Sequence, residues 1–543
     1  MLPDWTVRHA SANVTGLFDL DAGELVGQSL REFVDEELLQ AVSDAIGYGD
    51  VGSAPQRAAV GNIGPLARLC DVSVHVAGGL IHIEIEPQPD RTREPTPTVV
   101  AQMMIARVAT ALDMGDFHQR TADQVRQLTG YDRVMVYRFR HDDAGEVIAE
   151  SRADDLAESY LGLRYPASDI PPQARALYVR NRLRVIPDAG YVPVPVVPPV
   201  AADGQPLDLS QHALRSVAAV HLEYLHNMGV AASMSISIIS GGRLWGLIAC
   251  HHRSPRGVPP GTRAAADLFG MFVSMRVSAR EQEQALAAED RVRDARDALA
   301  LRLSAATEVD GVLRDQLESL QRMLPCDGAA LWMEGSWSKS GRAPAPLRSR
   351  GVLGWLRTRD QTRIAATERA ADWMLGAVDG DDDGLAGVLA IPIGTHDDWL
   401  FLFRVEQREE VRWAGDPDKS MQVSDDGRRI APRRSFATWR ETVRGRAVPW
   451  SDGDRRSAER LRVLLREQRG RGRAGGTGVA DLEAFRRRHV VRDQKSRLDQ
   501  LSSLLDGLVH LEDHESARLA DRIAALEAEL RGLMRGENAP SPG

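Results

Sequence analysis

Apolar and polar positions alternate cleanly between residues 70 and 85. Cys70, Val72, Val74 and Val76 take every second place, Gly78-Gly79 follows, and Ile81, Ile83 and Ile85 resume the pattern. A period of two on both sides of a glycine pair predicts a β-hairpin, a small sheet with one apolar face and the other half open. The charged, proline-rich EPQPDRTREPTP (86–97) then reads as a linker, and a long amphipathic helix is expected after it. Two more strands follow, RVMVYRF (133–139) and GEVIAES (145–151). In SMSISIISGGRLWGLIACHH (233–252), Ser233, Ser235 and Ser237 share one face, Met234, Ile236 and Ile238 the other, with Gly241-Gly242 at the turn. That hydroxyl ladder either meets solvent or lines a polar cavity. Before it, IPDAGYVPVPVVPPVAADGQPLDLSQ (186–211) carries too many prolines for a regular element, and so long a loop inside a compact domain usually has a function.

The second half opens on a helical pattern from Ala264 to Ser304, with Leu268, Phe272, Met275, Ala279 and Leu286 at three- and four-residue spacing. Unbroken, it would run roughly 60 Å and tie domains together. Continuous apolar runs at GAALWMEG, GVLAIPI and WLFLFRVE predict the strands of a second α/β unit. Inserted after them is VRWAGDPDKSMQVSDDGRRIAPRRSFATWRE, polar, turn-rich and punctuated by Trp413, Phe436 and Trp439, which reads as an arm. Beyond the tract REQRGRGRAGGTG, leucines at 498, 501, 505 and 508, then Leu519, Ile523, Leu526, Leu530 and Leu533, stripe two helices joined by LEDHES. Such a hairpin satisfies its apolar seams by pairing with a second copy in a four-helix bundle. GENAPSPG (536–543) reads as a disordered tail.

With 543 residues the chain exceeds a single core and predicts about three or four domains. Its 68 basic and 77 acidic residues are interspersed without a basic stripe, which argues against nucleic acid as a partner. Three cysteines without a CxxC spacing fit a reducing compartment, and no run approaches 18 apolar residues. The expected location is the cytoplasm, with no membrane association.

The candidate chemistry gathers in the middle of the chain. RYPASDIPPQARALYVRNRLRVIPD (164–188) sets Asp169 and Ile170 between prolines and follows them with Arg175, Arg180, Arg182 and Arg184. Nearby in sequence are Arg215, Tyr178, His221, His251, Tyr137, Tyr165 and Tyr224. Guanidinium and hydroxyl groups suit carboxylates, aromatic rings suit a flat conjugated system, and an acidic turn suits a protonated nitrogen cluster. A planar cation with anionic arms would satisfy all three.

PASDIP with QARALY, then HLEYLHNMGVAASMSIS and LWGLIACHH, resembles the chromophore-binding GAF domain of bacterial phytochromes, and WAGDP, PRRSF and WRE resemble the tongue of their PHY domain. The resemblance implies a multidomain α+β architecture of antiparallel sheets flanked by helices: PAS (1–90), GAF (98–280), PHY (281–470, tongue 408–445) and a C-terminal α-helical hairpin (479–535), with long helices between domains. It implies a red/far-red photoreceptor holding a linear tetrapyrrole, biliverdin in the bacterial members. Asp169 and Ile170 would face the pyrrole nitrogens, and the Asp169 carboxylate would meet Arg433 of the tongue, with Ser435 beside it. His221 would join the pyrrole hydrogen-bond network and His251 the D-ring carbonyl. Arg184 and Arg215 would hold propionates with Tyr178, Ser233 and Ser235, and Tyr137, Tyr165 and Tyr224 would wall the D ring.

Two features depart from the family pattern. The cysteine-bearing segment ahead of the PAS core is absent, since the chain opens at LPDWTVRHASAN, and Val220 stands where other members carry a cysteine before the GAF histidine. Either the chain begins inside the natural protein or the bilin is held without a covalent bond, and the proline-rich loop is expected to lack the segment that normally threads it. The hairpin resembles the phosphoacceptor region of sensor histidine kinases, but Arg492 takes the acceptor position and His489 lies three residues earlier. No ATP-binding domain follows, and the glycine tract 470–478 interrupts the connecting helix. The expected output is a homodimer acting on an unidentified kinase or response regulator. A component phosphorylated in trans at His489, and a bilin-free PAS/GAF sensor or scaffold, stay open as alternatives.

Overall fold

The computed structural model describes residues 4–48, 55–88, 96–201, 204–306, 309–346, 349–374, 384–394, 398–407, 409–417, 421–423, 430–432 and 435–473. These fall into two compact units, one drawn from Met1–Leu286 and Arg408–Val443, the other from Ala287–Gln407 and Arg444–Gly543. Arg433, Arg492, His489 and the whole 479–543 region lie outside the described residues.

In the first unit, strands Gln56–Ile63, Arg68–Ala77 and Leu80–Pro87 form an antiparallel sheet. Gly78 and Gly79, at φ 57° and 74°, supply the left-handed pair that a tight two-residue turn requires. Cys70, Val72 and Val74 are buried against Leu38, Leu39 and Val42 of the helix Glu36–Tyr48. The opposite face is not half open. His75, His82 and Glu84 are buried beneath the 205–215 segment, where Glu84 accepts the Ala213 and Leu214 amides at 3.1 and 2.7 Å.

Instead of one long helix after the linker, two appear, Pro97–Ala109 and Met114–Thr129. The break is local chemistry: Asp113 caps the second helix by accepting the Asp116 amide at 2.8 Å, an arrangement a continuing helix forbids. An eight-stranded sheet follows, in the order Thr438–Val443, Glu409–Ala414, Arg164–Tyr165, Gly145–Arg152, Arg133–Phe139, Arg243–His252, Ala232–Ser240, Leu183–Ile186. Its two faces have separate tasks. Val134, Val136, Met234, Ile236, Ile248 and Cys250 pack against Phe269 and Val273 of the helix Pro260–Ser304 and form the domain core. Met135, Tyr137, Leu247 and Ala249 turn the other way.

The arm's antiparallel pair, Glu409–Ala414 with Thr438–Val443, extends this sheet through a single parallel bridge, Trp413 to Arg164. The proline-rich loop also has a partner within the chain. Ala10 and Ser11 pair with Val197 and Val196, and the Ala12 amide donates to the Pro195 carbonyl at 2.8 Å.

The second unit holds an antiparallel five-stranded sheet in the order Ser336–Gly341, Gly328–Met333, Trp399–Val405, Leu385–Pro392, Ala365–Thr367. The two central strands are continuous apolar runs because both of their faces are covered, one by Leu299, Leu320 and Leu464 and the other by Trp355 and Trp373. The helix Asp452–Arg473 closes the unit and continues through Gly470. The helix Pro260–Ser304 has 45 residues, about 68 Å at 1.5 Å per residue. No described helix is long and apolar enough to cross a membrane.

Candidate chromophore cleft

The outward face of the eight-stranded sheet is roofed by two short segments, and a cleft lies between them. From the sheet come Tyr137 of Arg133–Phe139, Leu247, Ala249 and His251 of Arg243–His252, and Ser233 and Ser235 of Ala232–Ser240. Strict alternation delivers each of these to one side. Two rungs of the hydroxyl ladder are withdrawn from solvent, Ser235 at 8 % and Ser237 at 1 % exposure, while Ser233 is half-buried.

The first roof segment is the proline-framed turn. Ala167–Asp169 forms a 3-10 turn, and Pro171-Pro172 start the helix Pro172–Arg180 with φ already fixed. Arg175 straps the turn down by donating to the Ile170 carbonyl at 2.8 Å and pairing with Asp143. Asp169 and Ile170 thereby reach the cleft from above, with Tyr178 one helical turn beyond Arg175.

The second roof segment is the helix Ala219–Asn227, bearing His221 and Tyr224. Their rings stack nearly parallel, 9° apart with centroids 6.1 Å distant. The Tyr224 hydroxyl donates to Asp169 Oδ2 at 2.9 Å and so joins the two segments. Phe436 of the arm sets its ring edge on Tyr224, centroids 5.1 Å apart at 89°, and Ala414 of the arm is buried with Tyr137 and Tyr165. Ser435 accepts only its own turn's Ala437 amide, at 3.4 Å, among the described contacts.

Eleven of the twelve residues singled out as ligand contacts line this cleft: Asp169, Ile170, Tyr178, Arg184, His221, Tyr224, Ser233, Ser235, Tyr137, Tyr165 and His251. Arg215 does not. Its guanidinium turns back to the carbonyls of Ser210 and His212 at 3.2 and 2.9 Å, because the 205–215 segment closes on itself there. Arg184 holds the same segment by donating to the Ala213 carbonyl at 2.8 Å and to that of Arg215.

Electrostatically the cleft is a largely buried chamber lined by one cation, Arg184, and one carboxylate, Asp169. Burial, helped by Arg184, lowers His221 to about 4; burial, helped by Arg133 and then His221, lowers His251 to about 3. Both rings are therefore neutral at physiological pH. Burial raises Tyr178, whose hydroxyl bonds to Ser235, and drives Arg184 down to about 10.

Several contributors escaped the sequence reading. Met135, Val147, Ile186, Leu225 and Met228 complete the apolar wall, and for Met135 the signal was present as the inward partner of Tyr137 in a period-two strand. Arg133 was also missed. It forms an ion pair with Glu150 at 2.5 Å, the side chains 7 % and 3 % exposed, and its guanidinium lies 3.7 Å from the Tyr160 ring centroid.

Comparison with known proteins gives one consistent answer. Three family models match in order: PAS fold over residues 2–88, GAF domain over 113–278 and phytochrome region over 292–473. A bacteriophytochrome of Pseudomonas aeruginosa is 37 % identical over 539 residues, 98 % of this chain and 71 % of its own length. Cyanobacterial phytochrome B of Nostoc sp. is 35 % identical over 481 residues, and the match covers 62 % of that protein. Among solved structures, a bacteriophytochrome from R. palustris superposes with TM-score 0.71 at 32 % identity, over 86 % of this chain and 94 % of that one. The photosensory core module of the Stigmatella aurantiaca phytochrome gives 0.70 at 32 % identity, over 86 % and 93 %.

Proposed function

The chain belongs to the bacteriophytochrome family, and from that premise we propose that it is a red/far-red photoreceptor whose GAF domain holds a linear tetrapyrrole, biliverdin, without a covalent bond. The observation that carries the reading is the donor set of the cleft just described. A guanidinium, a hydroxyl ladder, two neutral imidazoles, an acidic turn and a tyrosine wall converge there, and each suits a different part of a flat, conjugated, cationic ligand with carboxylate arms. When bound, the bilin supplies absorption of red light and rotation of its terminal D ring about a double bond.

The protein's part is to bind, orient and respond. Arg184, with Tyr178, Ser233 and Ser235, meets one propionate, while Arg215 acts from outside the cleft by bracing the segment that Arg184 grips. The Asp169 carbonyl and His221 take the pyrrole nitrogens, and neutral His251 donates toward the D-ring carbonyl. Tyr137, Tyr165 and Tyr224 limit where that ring can go. None of the three cysteines lines the cleft, and Val220 precedes His221. Cys250 sits on the core side of its strand with its thiol pushed up by burial, so it is no nucleophile toward the ligand. These points favour non-covalent binding.

Signalling runs through Asp169. Tyr224 holds its carboxylate, Arg433 of the arm is its proposed ionic partner, and Phe436 rests on Tyr224. Displacing the Tyr224 hydroxyl loosens the arm from the roof and shifts the balance between two arm packings. The 479–535 hairpin is the proposed dimer contact, and the output is a downstream signalling protein, a kinase or response regulator. The test is to add biliverdin to pigment-free protein, record absorbance before and after red light, and then denature. A long-wavelength band that photoconverts and is lost on denaturation supports the reading; a colourless mixture refutes it.

A further inference from the structure

Away from the cleft, the buried polar face of the first domain's hairpin carries an unusual cluster. His75 and His82 are cross-strand partners, and their rings stack 4.7 Å apart with 12° between planes. His212, from the segment bearing Arg215, sets its ring edge against both, at 4.8 and 4.9 Å. His75 is 3 % exposed, and neither of its ring nitrogens has a hydrogen-bond partner. A buried imidazole with both nitrogens unsatisfied is costly in an ordinary core, so its retention calls for another partner.

We propose that His75, His82 and His212 form a binding site for one divalent transition-metal ion of the zinc class, joining the hairpin of the first domain to the 205–215 segment. One nitrogen from each ring lies within 4.8 Å of the others. Three imidazoles on a tetrahedral ion at about 2.05 Å stand about 3.4 Å apart, so closure needs shifts of about 1.4 Å or less. Three neutral nitrogen ligands suit zinc, cobalt or nickel and leave a fourth position for water. Burial holds His75 at about 4 and His212 at about 3 and also lowers His82, so their lone pairs are available at neutral pH.

The outer groups are arranged as such a site requires. His82 Nε2 faces the Ala77 carbonyl at 3.2 Å, leaving Nδ1 to point at His212 Nε2, 2.8 Å away. Without metal, one proton serves that contact: His212 Nε2–H donates to His82 Nδ1 while His82 Nε2–H donates to Ala77. His212 Nδ1 then turns a lone pair toward Glu84 Oε2, 3.7 Å off. With a metal ion between the two rings, the proton leaves His212 Nε2 and one is taken up at Nδ1, which then points N–H at the carboxylate. That is the carboxylate–histidine–metal relay common behind zinc ligands. The exposed Asp208 carboxylate adds negative charge beside all three rings. The same Glu84 anchors the segment that Arg184 grips, so a bound ion stiffens one side of the chromophore domain.

The experiment is zinc titration of the chelator-stripped, pigment-free full chain against a chromophoric chelator, with His212→Gln, His75→Gln, Glu84→Gln and the exposed-site control His226→Gln. One tightly held equivalent is expected. It should weaken at least about 100-fold in the two ligand variants and about 10–100-fold in Glu84→Gln, with His226→Gln unchanged. Should a ligand variant fail to fold, the zinc X-ray absorption spectrum of the wild-type chain decides, since three imidazoles give a distinct scattering pattern. No one-equivalent binding, binding indifferent to His75 and His212, or a first shell without imidazoles would overturn the proposal.

Discussion

Replacing Tyr224 by phenylalanine removes one oxygen and nothing else from the junction between the cleft and the arm. The lost contact is the 2.9 Å hydrogen bond to Asp169 Oδ2, and the Tyr224 ring keeps its place against Phe436. Hydrogen bonds to charged groups contribute about 1.5–3 kcal/mol, which corresponds to roughly one to two orders of magnitude in an equilibrium constant. If that bond exists only in the arm packing described above, Tyr224→Phe lowers the population of this packing by the same factor. Biliverdin-loaded wild-type and variant proteins, compared by the ratio of their two absorbing forms in darkness and by the amide I signal of the arm, report it. Phe436→Ala supplies a second corner: an edge-to-face pair adds about 0.5–1.5 kcal/mol beyond its burial, and the double variant should fall short of the sum because the two contacts share Tyr224. A dark ratio unchanged within twofold in Tyr224→Phe would refute the assignment of Tyr224 as the link.

Other consequences can be checked on pigment-free protein. His221 titrates at about 4 when folded and near 6.5 when unfolded, so only the unfolded chain takes up its proton between those values. Stability from this group is complete above pH 6.5 and falls by about 1.4 kcal/mol per pH unit down to about pH 4; His221→Gln should flatten a denaturant-derived stability profile by that slope in that window and nowhere else. Glu150→Gln strands the buried Arg133 guanidinium and should destabilise the GAF domain by about 3–5 kcal/mol, read as a lower thermal midpoint. A Cβ at Gly145 would overlap the Tyr137 ring, so Gly145→Ala should push that ring into the cleft and weaken biliverdin uptake in absorbance titrations, while the Trp355 and Trp373 fluorescence of the second unit stays native.

Much of the fold was legible because a period of two leaves little freedom. Once Met234, Ile236 and Ile238 go to the core, Ser233 and Ser235 must go to the other side. What alternation cannot supply is what covers that other side. For the serine ladder the cover was legible only through the family resemblance. For the polar face of the first hairpin nothing local announced it, since His212 lies 130 residues from His82. The break before Met114 was written in Asp113 and Asp116, a capping signal outweighed in the reading by helical periodicity on both sides. Arg215 lies away from the cleft for a related reason: a guanidinium next to a binding site has other acceptors, and here two main-chain carbonyls of its own loop hold it.

The arm's attachment to the chromophore domain is slight in backbone terms. Beyond the Trp413–Arg164 bridge, Arg412 reaches the Leu161 carbonyl at 3.2 Å, and the described ladder goes no further. Peeling the arm away sacrifices few main-chain bonds, yet it bares the rim strand Arg164–Tyr165, which is too short to template a long foreign strand. If the arm lets go and returns as proposed, the brevity of that rim keeps the bared edge from offering neighbouring molecules a place to polymerise.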